Sequence, residues 1–240
     1  SQVYVRNKSK AAEQVGIEFE EYLLDENIKQ DELIEQIKRL NEDETIHGIL
    51  LQSPIPNQLD INEAFRTIVP EKDVDGFNPV NVGKLSLNQD TFVSCTPYGI
   101  MKMLDKYNID LTGKNVVILG RSNIVGKPLI QCCLNKNATV TVCHSKTKDI
   151  KKYTKDADII MVAVGKAKFL TEDMIKDGAV IIDVGINRNE DGKIIGDVDF
   201  ENISKKASYI TPVPGGVGPM TIAMLMNNVI KAATESSKNK

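Results

Sequence analysis

Apolar positions recur along the chain at two spacings, one typical of helices and the other of strands. Residues 33–40 place their apolar side chains three and four positions apart, which predicts an amphipathic helix. Residues 48–52 form a short apolar run of strand length. Asp60 is followed by Glu63 in the pattern of a capping box, which predicts a helix that ends before Pro70.

The second half of the chain has a regular pattern of short apolar runs rich in β-branched residues. These runs are residues 116–119, 139–143, 159–164 and 180–184. Most of the segments between them are long enough for one helix. Continuous apolar strands that alternate with helices predict a parallel sheet covered on both faces. The predicted fold class is therefore α/β, with a doubly wound, Rossmann-like domain over roughly residues 97–214.

Composition narrows the function classes. The 240 residues suffice for one large or two small domains, and 41% hydrophobic with 26% charged residues is typical of a folded chain. A net charge of −3 argues against a nucleic-acid partner. No apolar run approaches the roughly 20 residues that span a membrane. The few cysteines lack C-x-x-C spacing, and the two histidines lie far apart, so we expect the cytoplasm and no metal.

The first predicted strand of the second half leads into a turn bracketed by glycines. Gly120 and Gly126 enclose Arg121 and Ser122 where a dinucleotide-binding fold places backbone N–H groups and a helix N-terminus against phosphate. Because Ser122 occupies the place of the second glycine in G-x-G-x-x-G, a purely structural turn fits equally well. The next strand ends without an acidic residue to accept the ribose hydroxyls. Arg121 and Ser145 would instead bind a 2′-phosphate, which favours NADP over NAD.

Three earlier segments carry side chains that are suited to catalysis or binding. Tyr4 and Lys8 lie four residues apart in a predicted helix, so they share a face. They are either an exposed surface pair or an aromatic platform beside an acid/base lysine. Gln52 ends the apolar run and could orient that lysine, although a strand end is the simpler interpretation. Asp73 and Asp75 precede a glycine, which by itself indicates a turn.

Residues 212–221 depart most from ordinary composition. Three prolines and three glycines fall within eight positions and predict a rigid loop with exposed N–H groups. The loop leads into the last predicted helix, from Pro219 to about residue 233, whose dipole would favour an anionic ligand. A structural turn would not need so many special residues, so the pattern favours a functional loop.

Together these segments resemble the methylenetetrahydrofolate dehydrogenase/cyclohydrolase (FolD) family over essentially the whole chain. The matching segments are residues 1–8, 48–54, 70–76, 95–97, 120–126, 143–145 and 214–221. One departure is Ser53, where the family usually has leucine. A second is that family members carry a further helix and strand before the Tyr4–Lys8 helix, so we expect the first domain to lack its N-terminal part in this sequence.

The resemblance implies two α/β domains that flank a cleft. Residues 1–96 with 215–240 would form the folate-binding catalytic domain, and residues 97–214 the NADP-binding domain. The implied activity is NADP-dependent oxidation of 5,10-methylenetetrahydrofolate to the methenyl form, followed by hydrolysis to 10-formyltetrahydrofolate. The implied partners are tetrahydrofolate derivatives and a second copy of the chain, in a homodimer formed through the NADP-binding domains.

The resemblance also implies a set of site residues. Lys8 would be the central catalytic residue, held and tuned by Gln52, with the aminobenzoyl ring on Tyr4 and the pterin ring on Asp75. The implied substrate-binding residues are Tyr4, Lys8, Leu51, Gln52, Ser53, Asp75, Pro214, Gly215, Gly216, Val217 and Gly218. The implied cofactor-binding residues are Gly120, Arg121, Ser122, Ser145, Ile186, Thr96 and Thr221.

Two other functions stay open from the sequence. The first is a monofunctional dehydrogenase of the same fold, against which the presence of both Lys8 and Arg121 argues. The second is a catalytically silent protein that binds folate or a nucleotide. The presence of Tyr4, Lys8, Gln52 and Asp75 together argues against it.

Overall fold

The computed structural model describes residues 2–238, with side chains from residue 5 onward. By its internal contacts the chain divides into two units, one of Ser1–Cys95 with Ile222–Lys240 and one of Thr96–Thr221. We call these unit 1 and unit 2. Residues 215–221 thus group with unit 2.

Unit 1 is mainly helical where the structure describes it. Its helices are α1 (Gln2–Gln14), α2 (Gln30–Glu42), α3 (Ile61–Thr67) and α4 (Pro79–Ser86). The predicted helix over residues 33–40 is α2, which buries Leu33 and Ile37 against α3 and its flanks. Residues 48–52 do not form the predicted strand, because only Ile49 pairs, in an isolated parallel bridge with Asp73.

The start of α3 shows how tertiary contacts alter a local motif. Asp60 caps the helix by accepting from the Asn62 N–H at 2.8 Å, as the sequence predicts. Glu63 does not complete a capping box, because its carboxylate accepts from Gln30 Nε2 at 2.8 Å. Gln30 Oε1 in turn accepts from the Asp60 N–H at 2.9 Å. Gln30 of α2 therefore takes the place of the local bond and links two helices.

Unit 2 is built on a parallel sheet. Its elements are α5 (Cys95–Lys106), β1 (Asn115–Leu119), α6 (Gly126–Asn135), β2 (Thr139–Cys143), α7 (Lys151–Thr154), β3 (Ile159–Val162), a 3₁₀ turn (Glu172–Met174), β4 (Val180–Asp183), β5 (Asn187–Arg188), β6 (Ile194–Ile195), α8 (Phe200–Ile203) and β7 (Tyr209–Ile210). The strand order is β2-β1-β3-β4-β7, all parallel, and β5 pairs with β6 as an antiparallel hairpin. A last helix, α9 (Val217–Lys238), continues into unit 1.

The apolar runs became strands because burial on both faces favours continuous apolar sequence. All four residues of β3 and of β4 are buried, as are four of the five in β1. The predicted α/β fold with a parallel sheet is confirmed. The crossover from β3 to β4 differs from the expectation, since it contains a 3₁₀ turn in place of an α-helix. Within residues 2–238, no helix has the length and apolar character needed to cross a membrane.

Candidate active site

The structure brings Lys8 and Gln52 together although they lie far apart in the sequence. Lys8 projects from α1, and its Nζ donates a hydrogen bond of 2.8 Å to Gln52 Oε1. Gln52 Nε2 donates at 2.8 Å to the carbonyl oxygen of Ser53. Because the amide nitrogen is used by that carbonyl, the amide oxygen faces the ammonium group. The bond is charge-assisted and fixes the position of Nζ.

Asp75 sits on a sharp turn that a second aspartate shapes. The buried Asp73 carboxylate accepts from the N–H groups of Phe77 and Asn78, at 3.2 and 2.7 Å, and from Asn81 Nδ2 at 2.8 Å. Gly76 closes the turn with a φ of +71°, and a Cβ there would lie 2.6 Å from the carbonyl oxygen of Phe92. The turn therefore requires glycine, and the position of Asp75 follows from it.

The environment of Asp75 opposes its ionisation. Burial raises the pKa of this carboxyl to about 6; the positive charge of Lys8 acts in the opposite direction, and the negative charge of Asp73 raises the pKa further. Cys95 Sγ donates to Asp75 Oδ1 at 3.6 Å. Burial raises the pKa of the Cys95 thiol as well, so the thiol stays protonated as a donor.

Other predicted substrate residues lie in different surroundings. Leu51 is half-buried and packs against the apolar cluster of α2 and α3. Ser53 is exposed and precedes a cis bond to Pro54. Tyr4 belongs to α1 by its backbone, but its side chain lies outside the described residues.

The loop of Pro214, Gly215, Gly216, Val217 and Gly218 belongs to unit 2, whereas Lys8, Gln52 and Asp75 belong to unit 1. Gly215 has a φ of +101°, which favours glycine. A Cβ on Gly216 would collide with the carbonyl oxygen of Pro212. These contacts fix the backbone path and leave residues 214, 215 and 218 exposed.

Thr221 and Thr96 adjoin each other at the edge of unit 2. Their hydroxyl oxygens lie 3.0 Å apart, and the Thr221 hydroxyl also donates to the carbonyl oxygen of Val217 at 3.4 Å. Thr96 and Thr221, both expected to bind the cofactor, therefore form one polar pair near the start of α9.

The loops after β1 and β2 begin side by side. Leu119 is in register with Cys143, and the Gly120 N–H donates to the Cys143 carbonyl at 2.8 Å. Arg121 and Ser145 therefore follow adjacent strand ends, and both are exposed. Gly120 has a φ of +120°, and a Cβ there would collide with a carbonyl oxygen of the neighbouring β3 segment.

The start of α6 differs from the predicted phosphate cradle. Ser122 Oγ accepts from the N–H groups of Val125 and Gly126, at 3.2 and 3.3 Å. The Ser122 carbonyl accepts from the Lys127 N–H at 2.9 Å. Ser122 therefore satisfies three N–H groups at the start of α6, and these three are already bonded within the protein.

The chemistry of these loops fits NADP. Residues 120–125 and 144–148 contain no acidic residue but carry Arg121, Lys146 and Lys148. A phosphorylated ribose requires cationic donors and is repelled by carboxylates. The structure places this acid-free, basic set at the carboxyl ends of two adjacent parallel strands, where such folds bind ligands.

Ile186 follows β4 with its side chain 56% exposed. On either side of it the structure shows residues that the sequence analysis missed: Asp183 at the end of β4, Asn187 in β5, and Asp197 beyond the hairpin, with both carboxylates buried. The available signal was an acidic residue at the end of an apolar strand, followed two positions later by glycine. Among the described residues, no three His, Cys, Asp or Glu side chains are grouped as metal ligands.

Comparison with known proteins identifies the family to which the chain belongs. The tetrahydrofolate dehydrogenase/cyclohydrolase catalytic domain matches residues 1–75, and the NAD(P)-binding domain of the same family matches residues 94–237. The bifunctional protein FolD of Ligilactobacillus salivarius is 56% identical over 236 residues, which cover 98% of this chain and 83% of that protein.

Solved structures of the same kind superpose closely. FolD methylenetetrahydrofolate dehydrogenase/cyclohydrolase from Campylobacter jejuni matches with a TM-score of 0.97 and 55% identity, covering 98% of this chain and 83% of that one. The Trypanosoma brucei enzyme, complexed with NADP cofactor and inhibitor, matches with a TM-score of 0.93 and 40% identity, at the same coverages. The chain belongs to the tetrahydrofolate dehydrogenase/cyclohydrolase family, as a bifunctional enzyme with an NADP-binding domain.

Proposed function

We propose that Lys8, Gln52 and Asp75 carry the folate chemistry of this enzyme, and that Arg121 and Ser145 bind the 2′-phosphate of NADP. The enzyme oxidises 5,10-methylenetetrahydrofolate to the methenyl form and hydrolyses that product to 10-formyltetrahydrofolate. The observation that best supports the assignment is the 2.8 Å bond from Lys8 Nζ to Gln52 Oε1. Asp75 lies in the same unit, within electrostatic reach of Lys8.

The hydrolysis requires proton transfers at one carbon. Water adds to the cationic methenyl carbon, the bond from that carbon to N5 breaks, and one proton is released overall. A positioned acid/base group speeds such a reaction by about 10²–10⁴-fold. Lys8 Nζ is the proposed group, and Gln52 holds it in place through the amide oxygen.

Asp75 has a different role in this proposal. The pterin ring presents N–H donors, and an ionised carboxylate accepts from them with both oxygens. The turn shaped by Asp73 and Gly76 holds the Asp75 carboxylate at a fixed point. Its ionised form is required, and burial makes that form costly.

The oxidation depends on alignment. When bound, NADP supplies the acceptor for the hydride that leaves the methylene bridge. Arg121 and Ser145 would hold its 2′-phosphate, with Gly120 and Ser122 shaping the turn. Further proposed cofactor contacts are Ile186, Thr96 and Thr221.

The remaining substrate contacts are also proposals. Tyr4 would stack on the aminobenzoyl ring, and Leu51 and Ser53 would flank Gln52. Pro214, Gly215, Gly216, Val217 and Gly218 would contact the folate through their backbone. The rigid path and exposure of this loop support that role.

We further propose that the enzyme is a homodimer formed through unit 2. Strand β2 lies at the edge of the sheet, and its sequence Thr-Val-Thr-Val-Cys contains neither charge nor proline. Such an edge is open to pairing with another chain.

We place the enzyme in the cytoplasm, because all four cysteines are free thiols, as expected in a reducing compartment.

Replacement of Lys8 by alanine tests the hydrolysis. We expect Lys8→Ala to lower cyclohydrolase kcat by about 100-fold or more, since the acid/base group is lost. The rate of methenyl disappearance without cofactor is the measurement. Lys10→Ala is the matched control, because Lys10 is an exposed lysine of the same helix. A Lys8→Ala enzyme with full cyclohydrolase activity would contradict the assignment.

We expect the ionisation of Asp75 to make the dehydrogenase activity depend on pH. The pKa of about 6 predicts that dehydrogenase kcat/KM falls below pH 6, about tenfold per pH unit, as the carboxylate is protonated. Asp75→Asn should give a lower, flatter profile that lacks this inflection. A variant profile with the same inflection near pH 6 would remove Asp75 from the site.

Stability of the same variant provides the control for misfolding. The pKa of Asp75 in the folded enzyme is about 6, above the ordinary value for an aspartate. Ionisation of Asp75 therefore destabilises the fold as the pH rises from about 4 to above 6. Asp75→Asn should therefore be at least as stable as the parent enzyme at pH 8, with its advantage shrinking towards pH 4. Thermal unfolding at the two pH values measures this.

Arg121→Ala tests the choice of cofactor. Loss of a charge-assisted bond worth about 1.5–3 kcal/mol should raise KM for NADP by roughly 10- to 100-fold. KM for NAD, which lacks the 2′-phosphate, should change little. Arg188→Ala is a control on an exposed arginine of the same unit. An equal loss for both cofactors would separate Arg121 from the 2′-phosphate.

Light scattering at working concentration tests the homodimer. The expected mass is twice that of one chain. A mass of one chain that persists on raising the protein concentration would disprove the proposal.

A further inference from the structure

We propose that Asp183 and Asp197 are positioning residues that hold the loops after β3 and β4 in the form that binds NADP. The inference rests on the proposed role of these strand ends in cofactor binding. Neither carboxylate is placed to react, since their side chains are buried, at 3% and 0% exposure. Their hydrogen bonds go to the segment that carries Ile186, a proposed cofactor contact, and to the loop after β3.

Asp183 ends β4 and joins two segments. Its Oδ1 accepts from the N–H groups of Gly185 and Asp197, both at 2.9 Å. Its Oδ2 accepts from the Val198 N–H at 3.0 Å. One carboxylate thus fixes both the turn after β4 and the segment that follows the β5–β6 hairpin.

Asp197 joins that segment to the end of β3. Its Oδ2 accepts from the N–H groups of Val164 and Gly165, at 2.7 and 2.9 Å. Its Oδ1 accepts from Asn187 Nδ2 at 2.8 Å. The loop after β3 and the first strand of the hairpin therefore have a common acceptor.

Two glycines permit this arrangement. A Cβ on Gly185 would collide with the Asp197 carboxylate, and a Cβ on Gly196 would collide with the Asp183 carboxylate. Each carboxylate approaches the backbone closely enough to exclude any side chain there. The two aspartates and the two glycines therefore pack together as one cluster.

The end of β7 is linked to the same pair. The Asp183 N–H donates to Thr211 Oγ1 at 2.8 Å, and the Thr211 N–H donates to the Ile181 carbonyl at 3.1 Å. Thr211 immediately precedes the loop of residues 212–218. The path of that loop therefore begins at a residue bonded to Asp183.

The two carboxylates specify the geometry of the loops, and we do not expect their charge to stabilise the fold. None of the ion pairs found among residues 5–238 involves Asp183 or Asp197. Burial raises the pKa of Asp183, and the N–H donors of Asp197, Gly185 and Val198 oppose that rise. Apolar side chains would often stabilise such a position at least as well. Carboxylates there dictate where each N–H donor lies.

This arrangement fixes the backbone on both sides of Ile186. Its neighbour Gly185 donates to Asp183 and its neighbour Asn187 donates to Asp197, while its own side chain is 56% exposed. An exposed apolar side chain held on both flanks offers a preformed contact for a planar ring. Preorganisation of this kind lowers the entropy lost on binding.

Asp197→Asn is the central test, because the amide is similar in size but cannot accept from all three donors. We expect Kd for NADP, measured by titration calorimetry on the full-length enzyme, to rise about tenfold. Cyclohydrolase activity measured without cofactor should stay within about twofold of the parent enzyme. Asp199→Asn is the control, since Asp199 lies two residues away and bonds within α8 to Asn202.

Two results would overturn the inference. One is unchanged NADP affinity in a folded Asp197→Asn enzyme. The other is a parallel loss of NADP affinity, cyclohydrolase activity and thermal stability, which indicates a merely structural role. If Asp197→Asn does not fold, Asn187→Ala removes one bond to the same carboxylate and should raise Kd about threefold; unchanged affinity there also overturns the inference. Arg121→Ala separates the cases, because its effect on NADP does not depend on the aspartate pair.

Discussion

Backbone N–H groups in turns and loops need acceptors, and in both units buried aspartates supply them. Asp73 accepts from Phe77 and Asn78 in unit 1, and Asp183 with Asp197 accepts from five backbone N–H groups in unit 2. Loops without regular ladders would otherwise leave these donors unsatisfied. The positions of the turn that carries Asp75 and of the loops after β3 and β4 depend on this interaction.

The apolar framework makes such acceptors effective. The strands β1, β3 and β4 are nearly all buried, so the loops extend from a rigid sheet. Low polarity around a carboxylate strengthens its hydrogen bonds and makes an unmet bond costly. A few buried polar side chains can therefore specify loop geometry that the apolar core alone would leave undefined.

At Asp75, burial has opposite consequences for stability and for ligand binding. Burial makes its ionised form unfavourable, yet that form is the one suited to bind donors of a ligand. Lys8 relieves part of the cost by its positive charge, and Gln52 fixes the direction from which that charge acts. A functional group held at some cost to stability is a common feature of active sites.

The oxidation is proposed to need a set of residues that the hydrolysis does not need. The proposed acid/base residues lie in unit 1 and the proposed cofactor residues in unit 2. Hydrolysis requires no cofactor, whereas oxidation does. Loss of the proposed cofactor contacts alone should therefore spare the hydrolysis, whereas loss of the proposed folate contacts should impair both activities.

The amino-acid sequence by itself determined the parallel sheet, the glycine turn after β1 and the family, because apolar runs, glycines and ordered motifs are local signals. It did not reveal the failed capping box at Glu63, the capping of α6 by Ser122, or the buried pair Asp183 and Asp197. Each of these depends on which distant donor lies nearest once the chain is packed. Burial and long-range hydrogen bonding are properties of the folded chain, so only the tertiary structure decided them.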